Sequence, residues 1–167
     1  INGIEKLGAT QIKDNEKTKL LAEARCLKAW INANLLWAFG HWWADDSDPY
    51  GILYRDELVD LGNIEKARIS VGESYAKIHE DLDYAIANMA DFTSPRYMSK
   101  QFAKVLKAKL LLHRGGYRNT AADLQLALTL VNDVLNNHPG TFAMEANLSD
   151  VYYNAWDSKE NLFARYL

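Results

Sequence analysis

The sequence predicts an all-α fold of antiparallel helix pairs with one long inserted loop. Three observations carry this. Apolar residues recur in steps of three and four along four stretches, the period of an amphipathic helix. Capping residues, glycine and proline punctuate the ends of those stretches. One irregular segment, residues 41–71, is far longer than an ordinary connection, and loops of that length usually carry function or are disordered.

The first helix is expected over residues 15–39, stopping at Gly40. Its expected core stripe is Leu20, Ala24, Leu27, Ile31, Leu35 and Ala38, widened by Trp30, Trp37 and Phe39. A helix this apolar must be covered on more than one side. The loop 41–71 holds Pro49, Gly51, Gly62 and many acids, with a short helix around Ile64. The second helix, 71–90, buries Tyr75, Ile78, Leu82, Ala85, Ile86 and Met89. Ser70 and Glu73 have the spacing of a capping box at its start. A turn with Pro95 leads to the third helix, 99–113, with Phe102, Val105, Leu106 and Leu110 on one side and Lys109 extending outward by its stem. Gly115 and Gly116 are expected to end it. The fourth helix, 120–136, has Leu124, Leu128, Val131 and Leu135 as its stripe and is closed by His138, Pro139 and Gly140. Residues 162–166 alternate in the manner of a short strand. In the last pair, Ala127, Val131, Val134 and Pro139 fall at the small, large, small and proline positions of a tetratricopeptide second helix; the 34-residue period of that repeat is not clean here.

A chain of 167 residues suits one domain with a real core, residues 1–167. A net charge of -3 excludes the basic balance of a nucleic-acid binder. The single cysteine, Cys26, cannot form an internal disulfide and reads as a small buried residue. His41, His79, His113 and His138 are scattered, without metal-ligand spacing. The chain has no nucleophile–base pattern, no glycine-rich phosphate loop and no Gly-x-Ser-x-Gly elbow, so an enzyme is not expected. It has no apolar run long enough to span a membrane. The opening INGIEKLGAT reads like the interior of a protein, so the chain is expected to be part of a longer one.

Four ordered blocks carry a family resemblance. LLAEARCLKAWINANLLWAFG resembles an E-A-R-x-L-R-A hallmark helix through Glu23, Ala24, Arg25, Leu27, Ala29, Leu35, Phe39 and Gly40, with Lys28 where arginine is usual. ARISVGESYAKIHEDLDYAI matches a second block through Arg68, Ser70, Glu73, Tyr75, Ile78, Asp81, Leu82 and Ala85. SPRYMSKQFAKVLKAKLLLHRG and DSKENLFARY match two more, through Arg96, Ser99, Ala103, Leu106, Ala108 and Leu111, and through Ser158, Glu160, Leu162, Phe163 and Ala164. Together they resemble the SusD/RagB family. The loop HWWADDSDPYGILY departs from the family's usual small-residue and proline motif. The resemblance implies a tetratricopeptide-like α-α superhelix, the N-terminal helical part of a non-catalytic outer-membrane lipoprotein anchored through a cysteine outside this chain. Such a protein binds a glycan or another nutrient and hands it to a TonB-dependent, SusC-type transporter.

The candidate ligand residues are Trp42, Trp43, Tyr50 and Tyr54, with Asp45 and Asp46 as hydroxyl acceptors. Flat rings suit the C–H face of a pyranose; equally, the tryptophans can fold back as a lid on the helices. Asp46, Asp48 and Glu57, with Gly51 between, have nearly the spacing of a calcium loop, although Tyr50 replaces one ligand. No other cofactor is expected. Arg96, Lys100, Lys104, Lys107, Lys109, Arg114 and Arg118 form a basic stretch expected to be solvated or partner-facing. Arg25 with Glu23, and Asp81 with Arg68, are expected ion pairs. A rival of another class is a tetratricopeptide-like scaffold that binds a peptide or protein in its concave groove.

Overall fold

The structure is a computed structural model that describes residues 1–137 and 141–164. Its elements are α1 (Asn2–Glu5), α2 (Asp14–Phe39), α3 (Val71–Asn88), α4 (Lys100–Arg118), α5 (Ala121–Asn136), α6 (Leu148–Tyr153) and a 3-10 turn, Ala155–Asp157. No strand occurs among the described residues, and 162–164 are irregular rather than extended. His138, Pro139, Gly140, Arg165 and Tyr166 lie outside the described residues. The segment around Ile64 is not helical. No helix among the described residues is long and apolar enough to cross a membrane.

Local chemistry sets the helix ends. At α3 the Ser70 hydroxyl accepts from Glu73 N–H, and the Glu73 carboxylate accepts from Ser70 N–H, the reciprocal box the sequence predicts. Ser99 caps α4 through Phe102 N–H. The end of α4 differs from expectation. The helix runs through Gly115 and Gly116 to Arg118 and stops at Asn119, a left-handed residue with φ 54°. Gly115 instead permits close approach: a Cβ there would lie 2.7 Å from Asp123 Cβ on α5.

Helices α2 and α3 pack as one antiparallel pair and α4 and α5 as another, with α3 against α4 between them. The inner helices bury most of what their periodicity predicts, with Ile86, Phe102 and Val105 only half-buried. Tyr75, Ile78, Leu82 and Ala85 of α3, and Leu110 of α4, are fully enclosed. The outer helices reverse the expectation. On α2 the buried face is Ala22, Cys26, Ala29, Asn32, Ala33 and Leu36, while Leu27 and Ile31 of the expected stripe are 42% and 49% exposed. On α5, Ala127 and Val134 are buried, whereas Leu128, Val131 and Leu135 face outward. Small side chains let helix axes approach closely, so the tightest interface selects alanine over leucine.

This makes a stability contrast. Leu82→Ala is expected to cost about 3 kcal/mol through the cavity it leaves. Leu128→Ala on the outward face of α5 is expected to cost about 0.5 kcal/mol or less. Urea denaturation of the two variants checks the pair.

Ion pairs tie the helices across their interfaces. The expected basic stretch is not simply solvated: Lys104 pairs with Asp133 of α5, Lys107 with Asp83 of α3, and Arg118 with Asp46 of the loop. Arg114 grips Asp123 with two parallel hydrogen bonds of 2.7 and 2.8 Å. Lys109 lies over the Trp37 ring, 4.9 Å from its centroid. Asp81 pairs with Lys28 at 3.4 Å and Arg25 at 3.7 Å, not with Arg68. Arg25 also reaches Glu5 at 3.9 Å rather than Glu23, while Arg68 donates to the Phe39 carbonyl. Burial raises the Asp81 carboxyl above its ordinary value, although Lys28 and Arg25 pull the other way. Cys26 is enclosed on α2, and burial, with Glu23 nearby, pushes its thiol up to about 12, which makes it unreactive.

Candidate functional site

The C-terminal ends of α2 and α4 and the N-terminal end of α3 meet at one pole, and the loop after α2 is stitched across them. Backbone bonds hold its first turn: His41 N–H donates to the Tyr50 carbonyl at 2.8 Å, and Ala44 N–H to the His41 carbonyl at 2.8 Å. The carbonyls of Asp48 and Asp46 accept from Val71 N–H and Gly72 N–H at 2.9 and 3.0 Å. Those two amides belong to the first turn of α3, which has no internal acceptors for them. Further along, Gly51 N–H donates to the Ile69 carbonyl, and Ile69 N–H to the Ile52 carbonyl. Arg118 bonds both the Asp46 carboxylate and the Ala44 carbonyl. From below, the enclosed Tyr75 donates its hydroxyl to the Trp42 carbonyl at 3.0 Å. Burial pushes that phenol up to about 12, so it remains a donor across the physiological range.

This frame assembles a sheet of rings. His41 lies between Trp43, stacked on it at 5.2 Å, and Tyr50 at 4.8 Å. Trp42 meets Trp43 edge-on at 5.7 Å and also touches His113 and Tyr117 of α4, each at 5.7 Å. His113 in turn packs on Trp37. Trp43 is 41% exposed and Tyr50 54%, with Tyr117 more open still; Trp42 is half-buried and forms the hinge between loop and helix. Burial, then the charge of Lys109, lowers the His113 pKa, so its ring is neutral near pH 7. The Asp48 carboxyl is held below its ordinary range by the Tyr50 N–H it accepts and by His41 at 3.3 Å. The result is an open aromatic face.

The predicted residues divide in two. Trp42, Trp43 and Tyr50 come together, with Asp45 exposed on the same loop. Tyr54 does not join them. It is 8% exposed, lies in the α2–α3 core and accepts a hydrogen bond from Lys28. Asp46 is engaged by Arg118. The calcium-like residues are also dispersed: Asp48 holds His41, and Glu57 holds Lys66 at 3.0 Å. No group of three His, Cys, Asp or Glu side chains among the described residues is arranged to hold a metal ion. Tyr117, His113, Trp37 and His41 complete the ring sheet without any sequence signal; Trp42 and His113 are far apart in the chain, and only packing joins them.

No protein-family profile matches the chain. Over 98% of its length it is 27% identical to a SusD-like protein of Bacteroides ovatus, and it spans about 29% of that relative's length. A SusD superfamily protein of Bacteroides thetaiotaomicron superimposes with a TM-score of 0.81 at 24% identity, over 99% of this chain and 35% of the other. A structure solved with xylogluco-oligosaccharide superimposes with a TM-score of 0.74 at 23% identity, over 97% of this chain and 31% of the other. In sequence this chain is therefore similar to a SusD-like protein and in fold to SusD superfamily structures, and it spans about a third of their length.

Proposed function

We propose that this chain is the helical scaffold of a cell-surface glycan-binding protein that captures oligosaccharide and passes it to a TonB-dependent, SusC-type outer-membrane transporter. The observation that carries the proposal is the open aromatic face formed by Trp43 and Tyr50, backed by Trp42 and Tyr117 and held rigid by the α3 N-terminus. Indole and phenol faces pack against the C–H face of a pyranose, and neighbouring polar groups such as Asp45 read its hydroxyls. Capture of this kind breaks no bond and needs no cofactor. The sequence similarity to a SusD-like protein supports the reading, as does the fold shared with a structure solved with xylogluco-oligosaccharide. Anchorage to the outer membrane through a lipidated cysteine outside this chain belongs to the same proposal.

Affinity electrophoresis of the full chain through gels containing a panel of neutral and acidic polysaccharides tests it. One polysaccharide is expected to retard the wild type. Trp43→Ala and Tyr50→Ala are each expected to weaken that retardation at least tenfold, since base or sugar stacking on one ring is worth roughly 1–3 kcal/mol. Tyr54→Phe, a change in the core, should leave it intact. Equal retardation of the wild type and of both ring variants would remove the basis of the reading.

A further inference from the structure

The outer face of α2 carries features that the aromatic platform does not explain. Leu20, Ala24, Leu27, Ile31, Leu35 and Ala38 follow one another in steps of three and four, so they share one side of the helix. No charge interrupts the row, and its leucines and isoleucine are between 38% and 49% exposed. The terminal helix of a stacked helical array ordinarily turns a polar face to water.

Residues 53–55 run beside this row. Between them lies a groove of about 460 Å³, lined by Leu27, Ile31 and Leu35 on one side and by Leu53 and Arg55 on the other. Two sets of polar groups there are unsatisfied. Asn32 lines the groove and is only 7% exposed, yet its carboxamide has no hydrogen-bond partner among the described residues. The backbone N–H and C=O groups of Leu53, Tyr54 and Arg55 have none either among those residues. Side chains 52–55 alternate as they do along an extended chain: Ile52 and Tyr54 are buried, Leu53 is open and Arg55 half-buried. The backbone bonds that join Gly51 and Ile52 to Ile69 stop at Ile52, so the next three residues form an unpaired edge. The cations at the groove's margin are engaged elsewhere. Arg55 bonds the Asn63 and Ile64 carbonyls, and Lys28 holds the Tyr54 hydroxyl and Asp81.

We infer that an extended, apolar segment of the polypeptide outside residues 1–167 occupies this groove, adding as a strand to the backbone of residues 53–55 and bonding one of its peptide groups to the Asn32 carboxamide. The similar proteins supply the length. The chain spans 29% of the Bacteroides ovatus relative and 35% of the Bacteroides thetaiotaomicron structure, so most of each lies outside the matched part. The chemistry selects extended backbone. A carboxamide offers a donor and an acceptor, the pair that a peptide group complements. A helix uses its own amides internally and would leave Asn32 and residues 53–55 unsatisfied. A sugar would set its hydroxyls against aliphatic walls, since no aromatic side chain lines the groove. An added strand gains main-chain hydrogen bonds from such an edge while its alternate side chains fill the adjoining apolar row. The inference rests on the length of the similar proteins and not on the Trp43 platform.

Residue-resolved hydrogen exchange on the full-length protein tests this. The amides of Leu53 and Arg55 are expected to exchange at least tenfold more slowly than those of an unstructured peptide. Ile31→Arg, which puts a charge in the groove, should return both toward the unstructured rate, while the amides of Ile78 and Leu82 inside α3 stay protected and report an intact fold. Asn32→Leu, which keeps the groove apolar but removes the carboxamide, is expected to speed exchange at the two residues at least threefold. Leu53 and Arg55 amides that exchange at the unstructured rate in the wild type would overturn the inference. So would slow exchange that Ile31→Arg leaves untouched. Protection that rises with protein concentration would overturn it in favour of a second copy of the protein. Leu27 and Ile31 shielded from hydroxyl radicals while both amides exchange fast would overturn it in favour of a covering helix.

Discussion

Between pH 6.5 and pH 4 the fold is expected to lose about 3 kcal/mol through one residue, His79. Its side chain sits on α3 against α4, stacked 6.1 Å from Tyr75, and neither ring nitrogen has a hydrogen-bond partner or reaches solvent. Burial, helped by the nearby charges of Arg114 and Lys107 and opposed by Asp83 and Asp123, pushes its pKa down to about 4. The unfolded chain binds the proton near pH 6.5 and the folded chain only near pH 4. The contribution is therefore fully present above 6.5 and lost as pH falls through 4. His113, also lowered by burial, acts in the same direction. Asp81 acts in the opposite one: burial raises its pKa, so its protonation in acid favours the fold. Asp123, held low by Arg114, acts in the same direction as His79 once the unfolded chain's carboxyl begins to take up a proton, at the acid end of this range. Urea denaturation midpoints measured from pH 7 to pH 4 should fall for the wild type and fall less steeply for His79→Phe, which puts a ring without a titrating group in its place. An identical slope in both proteins would show that another group carries the acid sensitivity.

The second large effect is expected at Gly51. A methyl group there would lie 2.5 Å from the Ile69 carbonyl oxygen and closer still to the Ser70 carbonyl and the Ser74 hydroxyl. These are the atoms that dock the loop to α3. Gly51 N–H donates to Ile69 at 3.1 Å, Ile52 N–H donates to the Ser74 hydroxyl at 3.0 Å, and that hydroxyl donates to Ser70 at 2.7 Å. Two of the three obstacles are backbone, so the strand of loop must move bodily. Gly51→Ala is expected to cost about 3 kcal/mol, the upper part of the range for overpacking. Because Tyr50 and the His41–Tyr50 bond sit on the displaced segment, the same variant should lose the platform's ligand affinity beyond its loss of stability. Calorimetric melting paired with the electrophoretic assay measures both. A melting point unchanged from wild type would mean that the loop does not approach α3 this closely.

Much of this was legible in the linear sequence. Helix α3 was the most legible: its capping box and its stripe from Tyr75 to Met89 follow from local rules, and being covered on both sides it buries Tyr75, Ile78, Leu82, Ala85 and Met89, with Ile86 half-buried. Trp42, Trp43 and Tyr50 could be paired because they lie within nine residues on one loop. The partners from α4 could not, nor could the removal of Tyr54 to the core, because both depend on which helices become neighbours.

What the sequence determined alone is the set of rods, their caps and the loop that bears the rings, because hydrogen bonds within a helix and cap geometry are decided by residues a few positions apart. What only the tertiary structure decided is which face of an outer helix turns inward. On α2 and α5 the period admits both a large-residue and a small-residue face, and close packing chose Ala22, Ala29, Ala33 and Ala127 for the interface while leaving Leu27, Ile31 and Leu128 outside. Hydrophobicity ranks those faces by the area they can bury; the distance between helix axes, which no single helix encodes, ranks them by fit.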